Sequence, residues 1–298
     1  MAVAVAALAA GLHLTAQGPP PGVPGKLFQT RVDLVTVTAT VTDRDGHLVT
    51  DLSRDAFEVF EDGERQTITQ FTSARIPIGI GALVDISDSM FGKRITDARA
   101  AVDQFLLELL KPEDEFFVVA FNHKPHVLTT WTREAPVVRR ALEGLKPSGG
   151  TAAYDAIVEA LPLAAARQGE RTALVVISDG ADTASNATLR DLRAALLRSD
   201  VLVYAIGIDP PEKRAINTRV NAAALREITA ESGGRTEIVQ NSTDIAVATA
   251  GIAEELNHQY VLGYTSSHAP DGKFHSLRVR VVGSDAKVRA RNGYVAGP

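Results

Sequence analysis

The chain contains no cysteine among its 298 residues. This absence excludes disulfide bonds, thiolate catalysis and zinc sites built from cysteine ligands. It also excludes a lipid anchor on a cysteine that would follow the N-terminal apolar run. With 45% hydrophobic and 22% charged residues, the chain is nevertheless long and apolar enough to bury a large core.

Positive charge and several common catalytic motifs are also lacking. The formal net charge is −5 at pH 7, and no basic cluster with interleaved aromatic residues occurs, so we expect no nucleic-acid partner. Val84 stands where Gly-x-Gly-x-x-Gly would place its last glycine, and no Walker loop occurs, so nucleotide binding has no support. The Gly-x-Ser-x-Gly pentapeptide of serine hydrolases is absent as well.

The N-terminal segment is an apolar, alanine-rich run from Ala2 to Leu14 that no Lys or Arg precedes. It is too short for a comfortable transmembrane span, and the small residues before Gln17 are typical of a signal-peptidase site. We therefore predict a signal peptide over residues 1–16, a Pro- and Gly-rich linker over 17–27, and export to the periplasm or beyond, with no stable membrane span after cleavage. If the run is not a signal, the protein is cytoplasmic.

Oxygen-bearing side chains follow two apolar runs that have the composition of buried strands. Asp85, Ser87 and Ser89 come directly after one run, Asp179 follows the other, and Thr151 opens a helical stretch between them. Because the carboxyl ends of parallel strands meet at one edge of a sheet, we expect these five residues to surround a single point. Two carboxylates and three hydroxyls suit Mg²⁺, or else Mn²⁺ or Ca²⁺.

The charge of such a site favours binding over catalysis. Two carboxylates neutralise a divalent cation, and five protein ligands leave room for an outside oxygen, because Mg²⁺ takes about six. An alternative remains open, in which Asp85, Ser87, Ser89 and Thr151 only cap the helices that follow them and Asp179 belongs to an ordinary turn.

The ordered set Asp-x-Ser-x-Ser, Gly-Gly-Thr and Ser-Asp-Gly resembles the von Willebrand factor A domain and its metal-ion-dependent adhesion site. The resemblance implies that Ser87 and Ser89 contact the metal directly. It implies that Asp85 and Asp179 coordinate the metal directly or through water, and that Thr151 coordinates it or not, depending on the state of the domain.

This resemblance covers about residues 77–257 and departs from the family at Asp88, where members often carry glycine. The Asp88 carboxylate either sits in solvent or adds negative charge beside the metal. The flanks Phe57–Gly63 and Arg289–Tyr294 look like bacterial von Willebrand factor A-related proteins of the acidobacterial type, which extends the likeness over nearly the whole mature chain.

The hydrophobic period divides the chain into segments. It is two over residues 28–75 and again over 258–298, whereas strands and helices alternate over 76–257. We predict an α/β domain over 76–257, a doubly wound, mostly parallel Rossmann-like sheet, inserted in a small antiparallel β-sandwich-like domain that both flanks build. Glu61–Glu64 is predicted as a turn, and Asp209–Arg214 as a solvated loop near the metal edge.

The function that fits these features is a non-enzymatic, divalent-metal-dependent module for protein binding or adhesion. Its unknown protein or peptide partner would present an acidic side chain that completes the metal coordination sphere. Two alternatives remain: a Mg²⁺-dependent hydrolase that uses the same strand-end oxygens, with Asp88 as the nearby candidate base, or a scaffold with a vestigial site. His123 and His126 lack an evident third ligand and are predicted to lie on an exposed hairpin tip.

Overall fold

The computed structural model describes residues 34–105, 111–167, 171–179, 182–209, 220–268 and 270–297. The predicted signal peptide and linker, and all of the predicted Asp209–Arg214 loop except Asp209, lie outside the described residues. The strands of the described part are β1 (Leu34–Thr42), β2 (Phe57–Glu61), β3 (Glu64–Gln66), β4 (Ile68–Thr72), β5 (Ile78–Asp85), β6 (Glu115–Phe121), β7 (Pro125–Thr132), β8 (Arg171–Ser178), β9 (Leu202–Ile208), β10 (Thr236–Val239), β11 (Tyr260–Thr265), β12 (Phe274–Val281), β13 (Lys287–Arg289) and β14 (Gly293–Val295). The helices are α1 (Lys93–Gln104), α2 (Ala135–Glu143), α3 (Ala153–Ala165), α4 (Leu189–Leu196), α5 (Ala222–Ser232) and α6 (Ser242–Asn257). None of these six helices is long and apolar enough to cross a membrane.

The central sheet has six strands in the order β10-β9-β8-β5-β6-β7. All neighbouring pairs are parallel except β6 and β7, which form an antiparallel hairpin at one edge. Helices α1, α2 and α6 contribute to the core on one face, and α3, α4 and α5 to the core on the other. The strands therefore lie between two apolar layers, which explains their nearly unbroken apolar sequence. The predicted α/β fold class is confirmed.

Strand β5 at the centre of this sheet is buried along its whole length. Gly81 faces Phe117 and Leu174, and a Cβ atom at this position would overlap both side chains. The glycine thus makes room for the Phe117 ring beneath the sheet, a packing role that fits the lack of any nucleotide motif around it.

The flanking segments form two four-stranded antiparallel sheets, in the orders β13-β1-β11-β4 and β14-β12-β2-β3. The sheets share one apolar core, to which Val37 and Leu262 contribute from one side and Val59 and Val279 from the other. Each sheet combines strands from both flanks, so residues 28–75 and 258–298 need each other to complete their cores. The domain boundaries given above stay a prediction.

A buried carboxylate on α6 ties these sheets to the central one. Glu255 accepts hydrogen bonds from the Tyr204 hydroxyl of β9 at 2.6 Å and from the Thr40 hydroxyl of β1 at 3.1 Å. Arg235 Nε lies 2.9 Å from the same carboxylate, and Arg289 of β13 also pairs with it. Because Glu255 is only 4% exposed, its charge depends on these partners for solvation.

We predict that Glu255→Gln lowers the free energy of unfolding by about 2–4 kcal/mol. Removing one partner of a buried ion pair typically costs about 3–5 kcal/mol, and both arginines recover part of that through water, since each is about one-third exposed. Urea unfolding followed by circular dichroism measures the change. Glu254→Gln, an exposed neighbour on the same helix, is the matched control and should change stability by less than about 0.5 kcal/mol. Equal stability of the two variants would contradict this role.

Candidate metal centre

Two neighbouring parallel strands place the carboxylates of the candidate site. Strands β5 and β8 pair in parallel with Val84 opposite Ile177, so both chains leave the sheet at the same edge. Asp85 is the last residue of β5, and Asp179 directly follows β8. Both carboxylates are fully buried. The sheet therefore delivers two negative charges to one point below its surface.

The hydroxyl groups after β5 bridge these two carboxylates. The backbone N–H of Ser87 donates to Asp85 Oδ1 at 2.8 Å, which folds the chain back over the strand end. The Ser87 and Ser89 hydroxyl oxygens lie 2.9 Å apart, and Ser89 Oγ donates to Asp179 Oδ1 at 2.6 Å. The structure thus brings four of the five predicted ligands into one connected set.

Thr151 lies in the loop that borders this set. Its hydrogen bonds are made by its backbone, whose N–H donates to Thr183 Oγ1 at 3.0 Å. The loop is attached to the serine segment by the Asp88 N–H, which donates to the Gly149 carbonyl at 2.9 Å. Thr151 is buried, and its hydroxyl is not joined to the other four residues by a hydrogen bond in the described part of the chain.

The alternative interpretation, in which these side chains cap helices, finds no capping hydrogen bond in the described residues. Ser87 stands at the N-cap of a short 3-10 helix, Asp88–Met90, but its side chain does not cap it. Helix α1 begins at Lys93 with Gly92 at its N-cap, and no side chain caps it. Ala152, not Thr151, occupies the N-cap of α3. The serine and threonine hydroxyls are therefore not used to satisfy helix ends.

Sequence reasoning missed Arg94, which is part of the site. Its guanidinium is almost fully buried, pairs with Asp179 Oδ2 and donates to the Ser89 carbonyl at 2.8 Å. One signal was present in the sequence, because Lys93 and Arg94 put two positive charges in the first turn of α1. Cations are unfavourable at that end of a helix and call for a compensating partner.

Burial controls the ionisation of Asp85. It raises the pKa of this carboxyl, and hydrogen bonds from Ser178 and Ser87 and the charge of Arg94 only partly oppose it, so the net pKa lies above its ordinary value. The Ser178 hydroxyl donates to Asp85 Oδ2 at 2.5 Å. A carboxylate in this position gains from a further positive charge nearby.

The oxygen spacing suits a small octahedral cation. Adjacent ligands of Mg²⁺ are separated by about 3 Å, because each lies roughly 2.0–2.1 Å from the ion at right angles to its neighbours. The Ser87–Ser89 and Ser89–Asp179 oxygen separations of 2.9 and 2.6 Å are close to this edge. Asp88 is exposed, so its side chain sits in solvent. The residues present therefore fit a hard divalent cation.

The segment that carries this site is similar to a known domain. Residues 82–181 match the model of the von Willebrand factor type A domain. Inter-alpha-trypsin inhibitor heavy chain H2 of Mesocricetus auratus is 26% identical over 151 residues, which cover 45% of this chain and 16% of that protein. An uncharacterised Synechocystis protein, sll0103, is 21% identical over 65% of this chain and 44% of its own length. The chain thus spans less than half the length of either relative.

Solved structures of low identity share the fold. A von Willebrand factor type A protein from Catenulispora acidiphila has a TM-score of 0.53 at 13% identity, over 90% of this chain and 75% of its own. The domain of the type V pili tip protein Mfa5 from Porphyromonas gingivalis has a TM-score of 0.50 at 15% identity, over 62% and 96%. Proximal thread matrix protein 1 of the mussel byssus, solved with a zinc-occupied adhesion-site motif, has a TM-score of 0.53 at 14% identity, over 67% and 50%.

The family match spans both strands that carry the site carboxylates, and the whole six-stranded sheet has the fold of these structures. Over residues 82–181 the chain is thus similar to the von Willebrand factor type A domain.

Proposed function

We propose that this domain binds a protein or peptide partner through a divalent cation, Mg²⁺ in the first place, held by Asp85, Ser87, Ser89, Thr151 and Asp179. The observation that carries the proposal is the continuous chain of oxygen contacts from Ser87 through Ser89 to Asp179. When bound, the cation supplies a positive centre with a ligand position that an acidic side chain of the partner can fill.

Hydrogen bonds and an ion pair hold the two carboxylate ligands in place. The Ser87 N–H and the Ser178 hydroxyl hold the two oxygens of Asp85, and Arg94 holds one oxygen of Asp179. Two carboxylates, one guanidinium and a divalent cation together carry one net positive charge. A low-dielectric wall of buried residues strengthens the attraction of that charge for a carboxylate.

The contacts of the neighbouring acids support a binding role rather than hydrolysis. A hydrolase needs a titratable base positioned beside the metal. The carboxylate of Asp88 is exposed, and that of Asp182 accepts hydrogen bonds from the Tyr154 N–H at 2.9 Å and the Ser185 hydroxyl at 2.6 Å. The Asp182 carboxylate is thus occupied by other groups, and the Asp88 carboxylate faces solvent.

We also propose that the protein acts outside the cytoplasm. The N-terminal apolar run with its small-residue cleavage pattern supports export. The shared fold with a pilus tip protein is consistent with a surface role, and a metal-bridged contact to an acidic side chain does not depend on reducing conditions.

Asp85→Ala and Asp179→Ala should each abolish measurable Mg²⁺ binding, because each removes one of the two charges that neutralise the cation. Isothermal titration calorimetry of the full chain measures this affinity. Asp88→Asn is the matched control, since it removes an equal charge from an exposed position next to the site, and we expect less than a twofold change. Unchanged affinity in both alanine variants, with native circular dichroism, would refute the metal centre.

Arg94→Gln should tighten Mg²⁺ binding by about tenfold or more, equivalent to about 1.4 kcal/mol, because it removes a buried positive charge that competes for Asp179. Arg94→Lys keeps the charge and should stay near the wild-type affinity. Titration calorimetry compares the three proteins. Weaker binding in Arg94→Gln, with unfolding curves like those of the wild type, would mean that Arg94 holds Asp179 in place rather than competing for it.

Partner capture tests the function itself. The tagged full chain is incubated with an envelope fraction of its native host in Mg²⁺, in excess chelator, and as the Asp179→Ala variant. We expect a protein that is retained with Mg²⁺ and lost in both other arms, and whose retention falls when acidic residues of its contact region are neutralised. A partner retained equally in all three arms would replace the metal-dependent mechanism with a scaffold role.

A further inference from the structure

We propose a second metal site, for Zn²⁺ or a similar transition metal, in the antiparallel sheets. Its protein ligands are Glu61 at the end of β2, His275 in β12 and His268 in the segment after β11. Glu61 is more than 200 residues from the two histidines in sequence. Antiparallel pairing of β12 with β2 sets Glu61 opposite Leu277, two residues after His275. The site is independent of the strand-end centre and of the function proposed for it.

The spacing of the ligand atoms fits a tetrahedral ion. One ligand atom from each of the three residues lies within 4.8 Å of the other two. His268 Nδ1 is 3.3 Å from Glu61 Oε2, which is long for a hydrogen bond. It is close to the edge of about 3.3–3.5 Å that ligands at roughly 2.0–2.2 Å from a tetrahedral zinc define.

The partners of His275 match the second contacts that metal-binding histidines make. Its Nδ1 lies 2.7 Å from Asp62 Oδ2, and its Nε2 lies 3.3 Å from Asp271 Oδ1. Whichever ring nitrogen binds the ion, the other keeps a carboxylate partner. Such a carboxylate fixes the ring orientation and raises its basicity toward a metal.

Hydrogen bonds also fix the position of the Glu61 carboxylate. Its carboxylate is fully buried and accepts hydrogen bonds from Tyr264 at 3.0 Å, Ser266 at 2.9 Å and Tyr294 at 2.5 Å. These three bonds fix the orientation of the carboxylate beside the two histidines.

The donor set determines the class of ion. Two imidazoles and a carboxylate suit zinc and neighbouring transition metals, whereas the all-oxygen strand-end site suits Mg²⁺. His268 is 37% exposed, so solvent reaches the cluster and water can supply a fourth ligand. Three carboxylates near two histidines also leave the cluster with excess negative charge, which a divalent cation offsets.

Cobalt(II) is the probe that separates the two centres. The full chain, freed of metal and then held in excess Mg²⁺, is titrated with Co²⁺ and followed by visible absorption. We expect one tightly bound Co²⁺ with the absorption of a tetrahedral site, displaced by Zn²⁺. His268→Gln should weaken it by more than the roughly 10–100-fold that loss of a second-shell partner costs. Because His268 is partly exposed, this variant should fold, which circular dichroism checks.

Two controls keep the assignment specific. His258→Gln changes an exposed histidine outside the cluster, and Asp85→Ala disables the strand-end centre; both should keep the absorption and the affinity. The proposal is overturned if wild-type protein gives no tetrahedral signal, if His268→Gln retains it, or if Asp85→Ala loses it. Since Asp85→Ala tests the strand-end centre separately, either site can fail without the other.

Discussion

The parallel pairing of β5 with β8 is the constraint on which the candidate metal centre depends. It sends two chains out of the sheet at one edge and buries Asp85 and Asp179 side by side. Two buried carboxylates at one sheet edge destabilise the fold unless positive charge or hydrogen bonds offset them. The serine hydroxyls, Ser178 and Arg94 supply that compensation. The polar contacts at this edge therefore offset the negative charge of the two buried carboxylates.

Arg94 changes how this edge should be understood. A buried ion pair is weak support for stability, because the desolvation of both groups offsets much of their attraction. The guanidinium pairs with Asp179 Oδ2 and leaves Asp179 Oδ1 to accept from Ser89. The second carboxylate, Asp85, is only partly compensated for its burial. Under the proposed function, this partial compensation suits reversible ion binding better than a permanent structural metal.

The sequence predicted the strand-end residues because each follows its strand within a few positions, so local periodicity alone places it at the edge. It predicted the fold class for the same reason. It missed Glu61, His268 and His275, because antiparallel register between distant flanks brings them together and nothing local shows that register. The segment Glu61–Glu64 has the composition of a turn, and the structure contains a turn at its centre. Asp62 and Gly63 there have positive φ angles of 48° and 87°. Only the pairing of β2 with β12 shows that the residue just before this turn points into a core.

Helix α6 connects the candidate metal centre with the antiparallel sheets. Its 16 residues span about 24 Å. At its start, the Ser242 hydroxyl lies 2.8 Å from Lys93 Nζ and 3.1 Å from Asp97 Oδ1, in the helix that carries Arg94. Near its end, Glu255 contacts Thr40 and Arg289 of the antiparallel sheets. One helix therefore contacts both the helix that carries Arg94 and the antiparallel sheets. Because hydrogen bonds are directional, the contacts of Glu255 constrain the position of α6 as well as adding to stability.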